Sequence, residues 1–241
     1  MRCSCRKPRI ATSPSNRPVH RLRTTPASRR RRSFRHGLTG RSRIGRMESL
    51  PALLAQARAC TVCAAHLPHG PRPVLQMEAS ARILIAGQAP GRKVHASGIP
   101  FDDASGERLR AWLGMSREVF YDARRVAIVP MGFCYPGTGK SGDLPPRPEC
   151  VATWHARLLP QLRELRLSLA IGQYAQAYHL PGAGASLTQA VAAWRDTWPL
   201  KLALPHPSPR NQAWLKRNPW FERELLPVLR ERVAQVLDGA D

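Results

Sequence analysis

Four cysteines have a spacing that suits a shared metal centre. Two residues separate Cys60 from Cys63, fifteen separate Cys134 from Cys150, and seventy lie between the two pairs. A single cysteine is more often a small buried apolar residue, but four thiolates together form the ligand set of structural zinc and of iron–sulfur clusters. Because the pairs are far apart in the chain, a metal would join separate parts of the fold. Spacing alone leaves zinc and iron–sulfur both open.

Three other segments contain side chains suited to catalysis. The sequence LPHPSPRN places His206 on a Pro-Ser-Pro turn, where its ring can donate a hydrogen bond to a group that gains negative charge. Phe101 is followed by Asp102 and Asp103, carboxylates that can orient water or stabilise a cation. An aspartate before a helical pattern is also a common N-cap, and that alternative stays open. The third segment is GQAPG at residues 87–91, a turn sequence directly after an apolar run.

The elements that would position these residues alternate between strands and helices. Short apolar runs predict buried strands at residues 82–86, 126–130, 167–171 and 200–204. Helical patterns occupy residues 49–60, 105–114, 149–165, 173–180, 186–195 and 219–238, with Pro227 expected to kink or restart the last. Residues 135–148, rich in Pro and Gly, predict one long loop. This alternation predicts a three-layer α/β/α fold with a mainly parallel four-stranded sheet. In such sheets ligands bind beyond the carboxyl ends of the strands, where all three segments fall.

The positive charge is concentrated at the N-terminus. Residues 1–46 contain fourteen Arg, one Lys and no acid, and so contribute +15 of the net charge of +22. We expect this tail to be disordered and residues 47–241 to form one domain. Three explanations of the tail stay open: a DNA-binding arm, an organellar transit peptide, or translation from a start codon upstream of a natural one at Met47.

Apolar stretches are too short to cross a membrane. No run approaches the roughly 20 residues that a spanning helix needs, and the N-terminus lacks the apolar core of a secretory signal. We therefore expect a cytoplasmic protein, with organellar targeting by the tail left open. In a reducing compartment, four spaced cysteines favour a metal over disulfides.

The cysteine frame, GQAPG and HPSPRN together resemble the iron–sulfur uracil-DNA glycosylases of families 4 and 5 across residues 55–235. The resemblance implies a uracil-DNA glycosylase-like fold and hydrolysis of the N-glycosidic bond of uracil in DNA during base-excision repair. It also implies a structural [4Fe–4S] cluster on Cys60, Cys63, Cys134 and Cys150, with zinc as the alternative. The partner would be DNA with a flipped-out damaged base, which would place the protein at the nucleoid. We expect a monomer that needs no protein partner.

The same resemblance implies roles for individual residues in the pocket. The first motif of these glycosylases lines the space around the sugar and the attacking water. The matching residues here would be Gly87, Gln88, Ala89, Pro90 and Gly91. Phe101, in SGIPFDDASG, would stack on the flipped base. Asp103 would orient water or stabilise the sugar cation, with Asp102 as the second choice. His206 would stabilise the departing base.

Residues after His206 are expected to contact DNA. Ser208 and Arg210 would meet phosphates beside the flipped nucleotide, while Asn211 would contact a phosphate or cap the next turn. The family inserts a wedge into the vacated space in the duplex, and Trp214 or Leu215 fits that part, with core packing as the alternative.

Three positions depart from the family patterns. Gln88 and Ala89 stand where related enzymes have carboxylates, and Pro130 stands where family 4 enzymes have an asparagine that reads uracil. These departures extend the expected substrates to deaminated purines such as hypoxanthine and xanthine. They also leave a second hypothesis, that of a catalytically inactive or altered DNA-damage-binding member.

Overall fold

The structure is a computed structural model that describes residues 48–140, 142–184 and 186–239. The predicted tail, residues 1–46, and the proposed domain start at Met47 lie outside the described residues. The strands are β1 (Ile83–Ala86), β2 (Val126–Ile128), β3 (Thr138–Gly139), β4 (Gly142–Asp143), β5 (Leu167–Ile171) and β6 (Lys201–Leu204). The α-helices are α1 (Leu50–Arg58), α2 (Arg92–Ser97), α3 (Ala104–Leu113), α4 (Arg117–Tyr121), α5 (Pro148–Cys150), α6 (Ala156–Leu158), α7 (Gly172–His179), α8 (Leu187–Ala192), α9 (Gln212–Arg217) and α10 (Leu226–Asp238).

The central sheet has four parallel strands in the order β2-β1-β5-β6. Ile83 and Ile85 of β1 belong to a core formed with α3 and α10, while Leu84 belongs to a second core formed with α1 and the residues around α6. Because successive side chains of a strand alternate between faces, both faces of β1 are apolar and covered. The predicted three-layer α/β/α fold is therefore confirmed, and its strands lie where the apolar runs predicted them.

Two of the predicted helices are less regular than expected. The helical run from Pro148 contains a π-helical turn at Val151–His155 and ends in a 3₁₀ turn at Leu159–Gln161, short of the predicted residue 165. In the last helix, Phe221–Leu225 is π-helical and regular α-helix starts at Leu226. Pro227 lies in the first turn of α10, where its missing N–H costs nothing, so it marks a restart as predicted.

The long loop predicted at residues 135–148 contains a small hairpin instead. Thr138 pairs with Asp143 and Gly139 with Gly142 in an antiparallel β3–β4 ladder. The Gln88 amide donates to the Leu144 carbonyl at 3.3 Å and so anchors the hairpin to the loop after β1. Within the part of the chain that the structure describes, no helix is long and apolar enough to span a membrane.

Candidate active site and cysteine centre

Loops at the carboxyl ends of β1, β2 and β6 border a cleft of about 550 Å³. The predicted site residues on its wall are Gly87, Gln88, Ala89, Pro90, Gly91, Phe101, Asp103, His206, Ser208, Arg210 and Asn211. Segments far apart in sequence therefore meet at one site. Asp102 does not line the cleft: its carboxylate forms an ion pair with Arg117 at 3.1 Å. It is thus less suited than Asp103 to contact a substrate.

Asp103 is both a helix cap and a cleft residue. Its Oδ1 accepts the backbone N–H of Gly106 at 2.9 Å and caps α3, as the N-cap alternative predicted. The residue also lines the cleft, so the cap fixes its carboxyl group at the wall. Gly106 has to be glycine, because a Cβ there would overlap the carbonyl oxygen of Phe101. Capping and catalysis are therefore compatible at this position.

Phe101 has a strained backbone and a tightly packed ring. Its φ of 54° lies in the left-handed region, which costs a non-glycine residue roughly 1 kcal/mol or more. The ring packs edge-on against Phe120, with 6.1 Å between centroids, and approaches Gly87 so closely that a Cβ there would lie 3.2 Å from it. The chain thus holds an aromatic face directly beside the GQAPG loop.

His206 is held in one tautomer by its own loop. Its Nδ1 accepts the backbone N–H of Ser208 at 3.2 Å, so a neutral ring has its proton on Nε2. Burial lowers the pKa of His206, and the charge of Arg210 acts in the same direction, while Asp103 and Asp143 oppose the shift. The ring is therefore neutral at neutral pH and has one N–H left to donate.

The loop around His206 is closed by its neighbours. The Asn211 amide donates to the His206 carbonyl at 2.7 Å, and its side chain makes no capping hydrogen bond to α9, which begins at the next residue. The Ser208 hydroxyl accepts the backbone N–H of Arg210 and caps the 3₁₀ turn Pro209–Asn211. Arg210 itself is exposed, with its guanidinium against Gly142. Its charge is therefore accessible at the mouth of the cleft.

Trp214 and Leu215 are core residues, and the wedge prediction for them is wrong. Both are buried, and the Trp214 indole N–H donates to the Thr188 hydroxyl at 2.9 Å. The Trp214 ring also packs edge-on against Phe221, with 5.6 Å between centroids. Because α9 presents this apolar face to the protein interior, neither side chain can enter a duplex without unfolding the helix.

Sequence reasoning missed several residues of the cleft. Asp143 of β4 lines it, as do Arg92, Lys93 and Ser105. Arg92 and Lys93 directly follow GQAPG in the sequence, and this position could have indicated that two positive charges lie at the cleft. Asp143 had only the weak signal of an acid after a Gly-rich stretch.

The family model of the uracil DNA glycosylase superfamily matches residues 76–230. The chain belongs to this superfamily. A solved structure similar to this member is the solution NMR structure of a candidate uracil DNA glycosylase from Methanosarcina acetivorans. It has 18% sequence identity and a TM-score of 0.37, and the match covers 66% of this chain and 98% of the other. The superfamily acts on DNA, so membership supports a DNA glycosylase.

The four predicted cysteines of this superfamily member line a second, smaller cavity. Cys60, Cys63, Cys134 and Cys150 share its wall with Pro71, Pro73 and Phe133. Cys60 and Cys63 precede the segment that matches the superfamily, so the metal prediction rests on the cysteines themselves.

Two of the four sulfurs accept hydrogen bonds from N–H donors. The Trp154 indole donates to Cys60 Sγ and the Phe133 backbone to Cys150 Sγ, both at 3.4 Å. Burial raises the pKa of Cys63 and of Cys134, while the Arg147 side chain and the Arg72 backbone act in the opposite direction on Cys63 and Cys134, respectively. Such N–H···S hydrogen bonds stabilise thiolates that ligate metals.

Four thiol side chains on one cavity are a donor set that suits zinc or an iron–sulfur cluster. In residues 48–140, 142–184 and 186–239, no group of three or more His, Cys, Asp or Glu side chains is arranged to hold one metal ion. Burial raises the pKa of Cys150 to about 12 and also raises those of Cys63 and Cys134, so metal binding would displace their protons.

Proposed function

We propose that this protein is a DNA glycosylase that hydrolyses the N-glycosidic bond of uracil in DNA, and that it acts in base-excision repair. The observation that supports it best is His206, a neutral imidazole with a free Nε2–H in a cleft shared with Phe101 and Asp103. Superfamily membership supports the reaction class.

The cleft suits a nucleotide that has left the duplex. At about 550 Å³ it has room for a base and its sugar. Removing a base from the stack costs a few kcal/mol, which stacking and hydrogen bonds in the pocket must offset. The face of Phe101 supplies the stacking, and its strained, packed backbone fixes the ring in advance. A preorganised ring loses little entropy when the base arrives.

The chemical step separates charge along the glycosidic bond. As the C1′–N bond breaks, its electron pair leaves with the base, and the sugar becomes an oxocarbenium-like cation. His206 Nε2–H donates to the carbonyl oxygen of the base, where negative charge accumulates. The Asp103 carboxylate, fixed by its cap, stabilises the cation. A water molecule then bonds to C1′, and the products are the free base and an abasic site.

Substrate choice is proposed to be broader than uracil. Pro130 lines the cleft and offers no side-chain hydrogen bond to a pyrimidine edge. The Gln88 amide donates one N–H group to the Leu144 carbonyl, which holds this side chain against the hairpin. Without a reader at position 130, we propose that the pocket discriminates mainly by shape and by the carbonyl that His206 contacts. Hypoxanthine and xanthine carry such a carbonyl and are proposed as additional substrates.

DNA contacts are proposed at the basic rim of the cleft. The rim residues are Arg92, Lys93, Ser208 and Arg210, and the side chains of Arg92 and Lys93 are exposed. Contacts of this kind position a strand through its phosphates without reading sequence. The logarithm of the DNA affinity should then fall linearly with the logarithm of the salt concentration, with a slope of about one for each phosphate contacted.

The cysteine centre is proposed to hold a structural [4Fe–4S] cluster, with zinc as the alternative. Cys60 follows α1, Cys134 follows the β2 strand, and Cys150 ends α5, so one cluster would connect three parts of the fold. When bound, the cluster supplies cross-linking rather than reaction chemistry, because its cavity is separate from the cleft of His206.

A DNA-damage-binding protein without turnover is the second candidate. It is favoured by the loop of residues 87–91, which contains no carboxylate. Such a protein would bind damaged duplexes with the same salt dependence, so binding does not discriminate between the two.

Product formation does discriminate. Purified brown protein, handled anaerobically, would be incubated with duplexes that contain one uracil opposite G or A, one hypoxanthine or one xanthine. Alkali-cleavable abasic product from the uracil duplexes would support the glycosylase. Binding without product from any duplex would support the damage-binding protein.

A further inference from the structure

We infer that Asp143, carried by the β3–β4 hairpin, is the catalytic base that accepts a proton from the attacking water. The inference rests on the proposed glycosylase function and adds a residue to its site. Three observations support it: the position of the carboxylate, its lack of other partners among the described residues, and the contacts that hold the hairpin.

Asp143 faces the loop after β1 across the cleft. Its Oδ2 lies 3.5 Å from the point where a Cβ on Gly91 would be. It is the second carboxylate on the wall, since Asp103 and Asp143 are the acids that line the cleft among the described residues. Its negative charge also acts on His206, whose pKa it raises against the effect of burial. Asp143 therefore belongs to the same electrostatic site as the leaving-group donor.

The three candidate aspartates differ in what their oxygens already bind. Asp102 is paired with Arg117, outside the cleft. Asp103 accepts the Gly106 N–H with Oδ1 as the cap of α3. For Asp143, the described part of the chain offers no hydrogen bond or ion pair to the carboxylate. The Asp143 carboxylate therefore keeps all of its acceptor sites available for water, whereas Asp103 uses one of its sites for the cap.

The hairpin is held in place from both sides of the cleft. Gln88 donates to the carbonyl of Leu144, the residue after Asp143. On the other side, the Arg210 guanidinium occupies the space beside Gly142, where φ is 136° and a Cβ would overlap it. The Tyr135 hydroxyl contacts Thr138, the residue that pairs with Asp143. Two loops of the active site thus fix the strand that carries the carboxylate.

Asp143 takes a proton from the water molecule that attacks C1′. The glycosidic electron pair leaves with the base, and the water oxygen forms the new bond to C1′. One water proton moves to the Asp143 carboxylate and the other stays on the new hydroxyl group. The departing base takes a proton from solvent, and Asp143 returns its proton to solvent. Asp103 remains ionised throughout and stabilises the sugar cation.

The test compares Asp143→Asn with Asp103→Asn and Asp196→Asn. Asp196 is exposed and does not line the cleft, so its variant controls for the loss of one carboxylate. Single-turnover release of uracil at saturating protein measures the chemical step, and fluorescence anisotropy on the same duplex measures binding. A general base contributes about 10²- to 10⁴-fold, so Asp143→Asn should lose at least about 100-fold in rate while binding is retained. Asp143→Glu should recover part of that loss.

Different failures have different meanings. If Asp143→Asn stays within about threefold of wild type and Asp103→Asn does not, Asp143 is not the base, and the glycosylase function stands. A purely structural role for Asp143 would lower the melting temperature and leave Asp143→Glu no better than Asp143→Asn, which also overturns the inference. If wild-type protein releases no base from any duplex, the proposed function fails and the inference fails with it.

Discussion

The ring of Phe101 lies so close to Gly87 that a Cβ there would be 3.2 Å from its Cζ atom. That distance is shorter than an ordinary van der Waals contact, so a methyl group would have to push the ring by a few tenths of an ångström. This close contact fixes the orientation of the Phe101 ring, and we propose that the face of this ring stacks on the base. The absence of a side chain at Gly87 therefore allows the Phe101 ring to lie directly against this loop.

Substitution of Gly87 by Ala should lower activity with little effect on stability. The added methyl group displaces the Phe101 ring from its stacking position, and we expect the single-turnover rate of uracil release to fall about tenfold. Phe101→Leu, which keeps an apolar side chain but loses the aromatic face, should cost about 1–3 kcal/mol of base stacking. Thermal unfolding of both variants checks that the fold is intact. Unchanged rates in both would contradict a stacking role for this ring.

Substitutions at Asp103 should separate its cap from its charge. Asn caps a helix as well as Asp does, so Asp103→Asn should keep stability within a few tenths of a kcal/mol and lose catalytic rate. Asp103→Ala should lose rate and also roughly 1 kcal/mol of stability. Chemical denaturation and single-turnover kinetics on the same preparations measure the two effects. If Asp103→Asn is fully active, the residue is a cap and nothing more.

Loss of a cysteine from the cavity should destabilise the whole domain. Cys134→Ala or Cys150→Ala removes a proposed cluster ligand from the cavity, and if the cluster joins separate parts of the fold we expect loss of the brown colour and a stability decrease on the order of 4 kcal/mol. Iron and sulfide analysis with thermal unfolding provides the measurement. Cys3→Ser, in the N-terminal tail, is the control and should keep its iron. Stoichiometric zinc without iron in wild-type protein would favour the alternative metal.

Stability should fall as the solution becomes acidic. Burial lowers the pKa of His179 from 6.5 to about 4, with smaller effects of His155 and Lys201 in the same direction. Because the folded-state pKa is depressed, this contribution is complete above pH 6.5 and is lost as the pH falls toward about 4. One pKa unit corresponds to about 1.36 kcal/mol, so the contribution of His179 to the free energy of unfolding is at most about 3 kcal/mol. Urea unfolding between pH 4 and 7 should show the slope, and His179→Leu should flatten it.

The sequence allowed the sheet and most of the cleft to be predicted for physical reasons. Strands buried on both faces are continuous apolar runs, so β1 and β5 were recognisable, and parallel strands bring the loops that follow them to one edge. The β3–β4 hairpin was missed because two-residue strands have no periodicity. Asp143 was missed with it, since its role depends on where the hairpin folds.

Other positions were ambiguous because one residue type serves two purposes. An aspartate before a helix fits a cap or a catalytic acid, and Asp103 is placed to be both. Trp214, in a segment that also contains Lys216 and Arg217, fitted a wedge or the core, and only the packing of α9 decided for the core. Local sequence does not contain that tertiary information.

The role of His206 is tested most directly by single-turnover release of uracil by wild-type protein and by His206→Ala. We expect measurable release by wild type and a loss of about 10²- to 10³-fold in the variant, as for removal of one donor to a developing negative charge. His206→Gln, which keeps an N–H donor, should lie between them. Equal rates for wild type and His206→Ala, or no release by wild-type protein that still binds the duplex, would contradict it.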